Sequence, residues 1–260
     1  MQDSAGHNRK IIEQFTLQAE PFSRLPGHSG SMQLLIEMAG VRGTDRVLDV
    51  ACGPGLVACD IAAIAEHVTG IDLTPGMIQK ARSLQSEKKL QNVDWRVGDV
   101  LPLPFDEASF SIVLTRYGFH HFLDPAAVLA DMIRVCVPGG RVMVVDVVLP
   151  DDKVDAYNRM ERLRDPSHVK ALSSREMARL LDNSGLTYIR TALQKFESEL
   201  EALLRGSFPA PGDAEVIRDL FRVDLTENRM GIDVHLDEGA IHYSVPILVV
   251  VGTKPDLPRG

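Results

Sequence analysis

The stretch Val47-Leu48-Asp49-Val50-Ala51-Cys52-Gly53-Pro54-Gly55-Leu56 constrains this chain more than any other. Leu48 and Val50 belong to a short apolar run of β type. Gly53 and Gly55 admit backbone conformations closed to other residues, and from Leu56 the apolar residues return at helical spacing. A strand that passes through a bare turn into a helix points peptide N–H groups at whatever lies above the turn, so this stretch is a ligand cradle as well as a fold element.

The alternation continues downstream. A strand over 46–51 and a helix over 55–65 are followed by a strand over 68–72 and a helix with Thr74 as N-cap, Pro75 in its first position and an end near Lys88. Val93–Val97, Ser109–Thr115 and Arg141–Leu149 read as further strands, and a helix begun by Asp124-Pro125 and stopped by Gly139-Gly140 separates the last two. Strands that are apolar on both faces and alternate with helices predict a parallel sheet covered on both sides.

The last hundred residues are less regular. They hold a Pro-interrupted segment over 150–170, a helix over 174–183 capped by Ser173 or Ser174, a strand from Leu186, and helical stretches over 197–206 and 213–223. Two β-type runs, 231–236 and 240–253, flank Asp237-Glu238-Gly239, the signal of an antiparallel hairpin. At the other end, Ile11, Ile12, Phe15, Ala19 and Phe22 fall at helical intervals, and Ser31 is placed to cap a second helix carrying Leu34, Leu35 and Met38. A Pro26-Gly27-His28-Ser29-Gly30 joint lies between them. The prediction is a single α/β domain with a Rossmann-like, doubly wound, seven-stranded sheet, mostly parallel with a C-terminal antiparallel hairpin strand. In it, 1–40 forms a helical lid, 44–150 a ligand-binding core, 151–170 and 197–230 a cap, and 171–196 with 231–255 complete the sheet.

Charge and composition narrow the partners. With 28 basic against 36 acidic residues, net −8, the chain lacks the clustered cations that phosphate-backbone binding rests on, so nucleic acid is not expected. The polar N-terminus and the absence of an 18-residue apolar run predict a soluble cytoplasmic protein without a membrane span, as monomer or homodimer. Cys52, Cys59 and Cys136 show neither disulfide nor zinc spacing, and His28, His120, His121 and His168 lack local ligand spacing; no metal is expected.

The glycine turn alone leaves its ligand open, because Gly53-x-Gly55-x-x-Ala58 also fits a dinucleotide site and hence an NAD(P)-binding oxidoreductase. The carboxylates narrow it: Asp49 within the first strand, Asp72 at the end of the second and Gly98-Asp99 after the third. They suit, in turn, an ammonium or its water shell, a pair of ribose hydroxyls and an exocyclic amine, whereas a pyrophosphate would meet added negative charge. The matching ligand is a nucleoside with a cationic tail and no phosphate.

Four blocks, at this spacing over residues 44–150, resemble the class I S-adenosylmethionine-dependent methyltransferases of family 11, the group that includes the menaquinone and ubiquinone biosynthesis methyltransferases. They are Val47 to Gly55; Gly70-Ile71-Asp72-Leu73-Thr74-Pro75-Gly76-Met77; Gly98-Asp99-Val100 with Leu103-Pro104-Phe105 and Ser109-Phe110; and Arg134-Val135-Cys136-Val137-Pro138-Gly139-Gly140-Arg141. Ala51 replaces the first glycine of the family's E/D-x-G-x-G-x-G pattern, adding only a methyl group. The resemblance implies S-adenosylmethionine as cofactor. Gly53 and Gly55 would approach its methionine part with Asp49 nearby, Asp72 would hold the ribose, Leu73 and Met77 would flank the adenine, and Asp99 and Val100 would meet its polar edge. Gly98 and Thr115 belong to the same strand ends. The fold resemblance also admits a non-catalytic sensor or scaffold that keeps the cofactor.

The acceptor side rests on Thr115-Arg116-Tyr117-Gly118-Phe119-His120-His121-Phe122, since ligands bind at strand C-termini in open α/β sheets. Arg116, Tyr117, His120 and His121 are candidate catalytic residues, with either His a candidate base. Arg162-Leu163-Arg164-Asp165-Pro166-Ser167-His168 resembles an uncharacterised subgroup acting on small molecules. Here Arg164 and His168 are expected to converge with Arg116 on an acidic or carbonyl-bearing small-molecule acceptor, with Phe15 and Phe22 as apolar lining.

Overall fold

The computed structural model describes residues 4–22 and 32–256. The Pro26–Gly30 joint, His28, Ser31 and the side chain of Phe22 lie outside the described residues.

Two helices, α1 (Ser4–Phe22) and α2 (Met32–Ala39), precede the first strand. The alternating region follows as β1 (Arg46–Val50), α3 (Leu56–Ala62), β2 (His67–Asp72), α4 (Pro75–Glu87), β3 (Val93–Val97), β4 (Phe110–Arg116), α5 (Pro125–Val135) and β5 (Cys136–Leu149). The chain then forms α6 (Val154–Arg164), β6 (Leu172–Ser173), α7 (Ser174–Asp182), β7 (Thr187–Glu199), α8 (Leu200–Gly206), α9 (Asp213–Glu227), β8 (His235–Asp237) and β9 (Ala240–Thr253).

The main sheet path runs β3-β2-β1-β4-β5-β9-β7, with β1 to β5 parallel and β9 antiparallel to both neighbours. These are the seven strands expected. Two short strands, β6 against β5 and β8 against β9, raise the number to nine. The strand order reverses between β1 and β4, and a crevice for ligands opens there at the C-terminal edge.

Pleat alternation builds the two layers. Val47, Ile112, Leu114, Met143 and Val145 face one cluster, with α3 and α4, while Leu48, Val50, Val113, Val142 and Val144 face the other, with α5 and α7. Burying each such side chain contributes about 1.5–3 kcal/mol, which fixes strand register against a one-residue slip. Asp124 caps α5 by accepting from the Ala127 amide at 2.9 Å, and Ser173 and Glu176 form a reciprocal capping box on α7.

Two expectations are corrected here. Gly139-Gly140 does not end a helix: α5 stops at Val135, and the Pro138-Gly139-Gly140 segment loops within β5, which advances from Cys136 to Arg141 while β4 advances from Phe110 to Ile112. A Cβ on Gly140 would lie 2.6 Å from Cys136 Sγ and 2.9 Å from the Ser111 carbonyl, so only glycine fits that loop. Nor is 150–170 irregular, because α6 occupies most of it; its buried face includes Asn158 and Glu161, which interrupt the apolar period.

The only tryptophan explains two glycines. A Cβ on Gly55 would lie 2.5 Å from Trp95 Cη2 and one on Gly70 2.5 Å from Trp95 Cζ3, so the indole occupies the space that both glycines vacate. Trp95 Nε1 donates to Gln85 Oε1 at 2.7 Å, which holds the ring in that slot. Gly55 also has φ +83°, so Gly55→Ala should cost about 2–4 kcal/mol from backbone and overpacking together. Gly70→Ala carries only the overpacking part, about 1–3 kcal/mol. Urea denaturation measures both, and equal losses would show that the backbone term is absent.

Candidate functional site

A cavity of about 230 Å³ opens at the C-terminal ends of β1, β2 and β4. Its floor carries Asp49, Ala51 and Gly53 from the first strand and turn, Asp72, Leu73 and Met77 from the second, and Asp99 and Val100 after the third. The Asp72 carboxylate accepts from the Gly53 amide at 2.9 Å and the Thr74 amide at 2.8 Å, and so ties two turns together. Burial raises its pKa against those bonds.

Asp49 is 1 % exposed, and its Oδ2 has no hydrogen-bond partner among the described residues. Burial, then the charge of Asp72, pushes its pKa up to about 8. A cation brought to such a group favours its ionised form and draws the pKa back down. Ala51 has φ 56° and Tyr117 φ 59°, so two non-glycine residues of the cavity wall hold the left-handed conformation. At Ala51 the departure from glycine is therefore felt in backbone strain, of order 1–3 kcal/mol, rather than in the bulk of a methyl group.

Three of the expected cofactor positions do not line this cavity. Gly55 faces Trp95, and Gly98 donates its amide to the Asp72 carbonyl at 2.9 Å. Thr115 is fully buried, and a Cβ on Gly118 would fall 2.8 Å from its Oγ1, so it lies beneath the turn that carries Tyr117.

A second cavity, of about 160 Å³, shares Phe15, Tyr117 and His121 with the first. His120 opens onto the second only. Its Nδ1 lies 2.6 Å from Asp146 Oδ1, and Asp146 Oδ2 accepts from the Phe119 amide at 2.8 Å, so one carboxylate sets both the turn and the ring. Burial draws the His120 pKa down, but the charge and hydrogen bond of Asp146 outweigh it and the net shift is upward. His121 behaves in the opposite way. Its Nδ1 faces the Ser167 carbonyl at 3.1 Å, which can only accept, so Nδ1 carries the proton; burial and the neighbouring His120 lower its pKa to about 3.

The expected convergence of Arg116, Arg164 and His168 is not seen. Arg116 lines the first cavity, its guanidinium 4.7 Å from the Tyr117 ring centroid, whereas Arg164 lines the second. Arg164 is engaged by Glu161, with Nε and Nη2 at 3.0 and 2.5 Å from Oε2. His168 lines neither cavity; it is buried against Asn158 Oδ1 at 2.7 Å, and burial drives its pKa well down.

Helix α1 spans both cavities. Asn8 Nδ2 donates to Asp99 Oδ2 at 2.7 Å and His7 Nε2 lies 2.8 Å from the His121 carbonyl. Further along, Phe15 meets the His121 ring edge-on at 5.0 Å and Gln18 Nε2 donates to Asp165 Oδ2 at 3.3 Å. His7, Asn8, Asp146, Tyr157 and Glu161 were not singled out from sequence. Asp146 had a signal, being the one carboxylate in the apolar run Val142 to Leu149.

The methyltransferase domain of family 11 matches residues 48–144. An uncharacterized methyltransferase of Bacillus subtilis (strain 168), YcgJ, is 32% identical over 210 residues, which cover 75% of this chain and 82% of that protein. The chain belongs to the S-adenosylmethionine-dependent methyltransferases of family 11. The crystal structure of that YcgJ protein superposes with a TM-score of 0.81 at 28% identity, over 88% of this methyltransferase and all of that chain. A demethylmenaquinone methyltransferase of Tropheryma whipplei (strain Twist) is 36% identical over 126 residues, 48% of this chain and 51% of that protein, so the match spans about half its length. Membership sets aside the oxidoreductase and the non-catalytic scaffold. Among the described residues, no helix is long and apolar enough to cross a membrane and no cluster of three metal-ligating side chains is found.

His120 and His121 should titrate apart. In an NMR pH titration His120 should have a midpoint above the ordinary 6.5, and His121 should stay neutral down to about pH 3. The stability that the His120–Asp146 pair contributes is complete below the unfolded midpoint of about 6.5 and is lost as pH rises through the higher folded one. Asp146→Asn should lower the His120 midpoint, because burial then acts without its main opposing charge; an unchanged midpoint would contradict the assigned cause.

Proposed function

We propose that this methyltransferase holds S-adenosylmethionine in the first cavity and a small-molecule acceptor in the second. The observation that carries the reading is the wall the two share. Phe15, Tyr117 and His121 belong to both cavities, with Asp49 and its partnerless Oδ2 on one side and the His120–Asp146 pair on the other.

The residues of the first cavity fit the cofactor. Asp49 offers a buried, partnerless carboxyl oxygen to the cationic methionine end, and Gly53 leaves the turn without a side chain. Asp72 retains lone pairs for the ribose hydroxyls beyond the two amides it accepts from, Leu73 and Met77 supply apolar surface for the adenine, and Asp99 with Val100 meets its polar edge. Gly55, Gly98 and Thr115 act one layer below, by shaping the turns.

The bound donor supplies an electrophilic sulfonium methyl. The protein's own task is then to align a nucleophile and keep water away, and alignment is worth about 7–11 kcal/mol of a barrier. Helix α1, with segments 151–170 and 197–230, serves as the cap that excludes water. His120, oriented through Nδ1 by Asp146, takes the acceptor proton at Nε2. His121, held neutral, and Tyr117, held in strained backbone, shape the passage between the cavities. Arg116, beside Tyr117, adds positive charge to the donor side.

Calorimetry with S-adenosylhomocysteine tests the donor side. Asp72→Asn should weaken binding by about 2 kcal/mol, the loss of charge-assisted bonds, and unchanged affinity would sink the assignment. On the acceptor side His120→Gln should lower kcat by about 10²–10⁴-fold and spare cofactor affinity. Since the base acts unprotonated, wild-type kcat/KM should rise with pH through the His120 midpoint; a flat profile would remove His120 from the chemistry.

A further inference from the structure

The second cavity has its own recognition chemistry, and it differs from the acidic acceptor that Arg164 first suggests. Arg164 directs Nε and Nη2 to a single oxygen, Glu161 Oε2, and its Nη1 lies 3.4 Å from Ser207 Oγ. The side-on edge of the guanidinium, Nε and Nη2, is thereby taken up by Glu161 rather than offered to a ligand carboxylate. The other oxygen, Glu161 Oε1, has no hydrogen-bond partner among the described residues, yet it is not shut off from the cavity that Glu161 lines. Glu161 itself is 5 % exposed and lines the second cavity, so this oxygen is an acceptor held in place at the cavity wall.

The charges around it sum in the same direction. Asp165, whose pKa is lowered, accepts from Ser167 Oγ at 2.6 Å, Ser167 N at 2.8 Å and Gln18 Nε2 at 3.3 Å; no cation of the described residues is bonded to it. Glu161 and Arg164 offset one another, and Asp165 leaves the wall with one excess negative charge. His120 and Asp146 form a further offsetting pair. The rings of Tyr157 and Tyr243 line the same cavity and add apolar surface beside these charges. The Tyr157 hydroxyl has no hydrogen-bond partner among the described residues, so a second polar atom is available beside Glu161.

We infer that the methyl acceptor is a compact, largely apolar amine whose nitrogen is held at Glu161 Oε1, with Arg164 fixing Glu161 rather than touching the ligand. The inference rests on the second cavity being the acceptor site. In that role Glu161 is the specificity-determining residue: it rewards a hydrogen-bond donor and repels a carboxylate, and Arg164 is a positioning residue behind it.

The test compares three probes of one shape, benzylamine, benzyl alcohol and benzoate, by ligand-observed NMR on the full chain saturated with S-adenosylhomocysteine. Benzylamine should bind at least tenfold more tightly than benzoate, with the alcohol between them. Glu161→Gln should reduce benzylamine affinity at least tenfold and change benzyl alcohol affinity less than threefold. Because Glu161→Gln unpairs Arg164 and can unfold the protein, the wild-type ranking stands as an independent readout. Benzoate binding as tightly as benzylamine, or no competition between benzylamine and benzyl alcohol, would overturn the inference. Failure of S-adenosylhomocysteine itself to bind would instead strike the reading of the first cavity, and the two failures are therefore distinguishable.

Discussion

The site depends on a carboxylate that holds two turns. Asp72, at the end of the second strand, accepts from the Gly53 amide and from the Thr74 amide at 2.9 and 2.8 Å. The first bond pins the glycine turn after β1, and the second pins the start of α4. Because β1 and β2 are adjacent and parallel, both turns emerge on the same edge of the sheet, and one buried side chain can bridge them. Gly98 extends the chain of contacts to β3 through the Asp72 carbonyl. The cavity floor is thus a set of loops that share one anchor, and the anchor costs burial of a charge that only hydrogen bonds and a ligand offset.

A second carboxylate does the same for the other half. Asp146 receives the Phe119 amide, the Val147 amide and the His120 ring, so the turn after β4 is fastened to β5. The geometry of His120 follows from the sheet: Arg116 and Val145 are register partners, and Asp146 comes next on its strand. Helix α1 closes the arrangement from above. Its polar contacts to Asp99, the His121 carbonyl and Asp165 are spread over both cavities, so one helix is fastened to the walls of both.

Much of the central fold was legible in the sequence because buried parallel strands leave uninterrupted apolar runs, and Val47–Val50, Ile112–Leu114 and Val142–Val145 each show one. Thr74-Pro75 and Asp124-Pro125 marked helix starts for the same local reason, fixed φ and an N-cap position. What escaped was polar and buried. The inward face of α6 carries Asn158, bonded to the Ala171 backbone and His168, and Glu161, bonded through Oε2 to Arg164, none of which sequence periodicity can reveal. Arg116 ends β4 whereas Arg164 ends α6, and the shared wall of Phe15, Tyr117 and His121 parts them. Gly55 matched the family pattern for a reason other than ligand contact, since its missing side chain makes room for Trp95.

The central claim is that donor and acceptor meet across that wall. A crystal structure of the full chain with S-adenosylhomocysteine tests it most directly. The account predicts the homocysteine amino group at Asp49 and the sulfur directed at the gap between Tyr117 and His121, facing the second cavity. A sulfur directed at solvent, or a ligand whose ribose leaves Asp72 untouched, would contradict it.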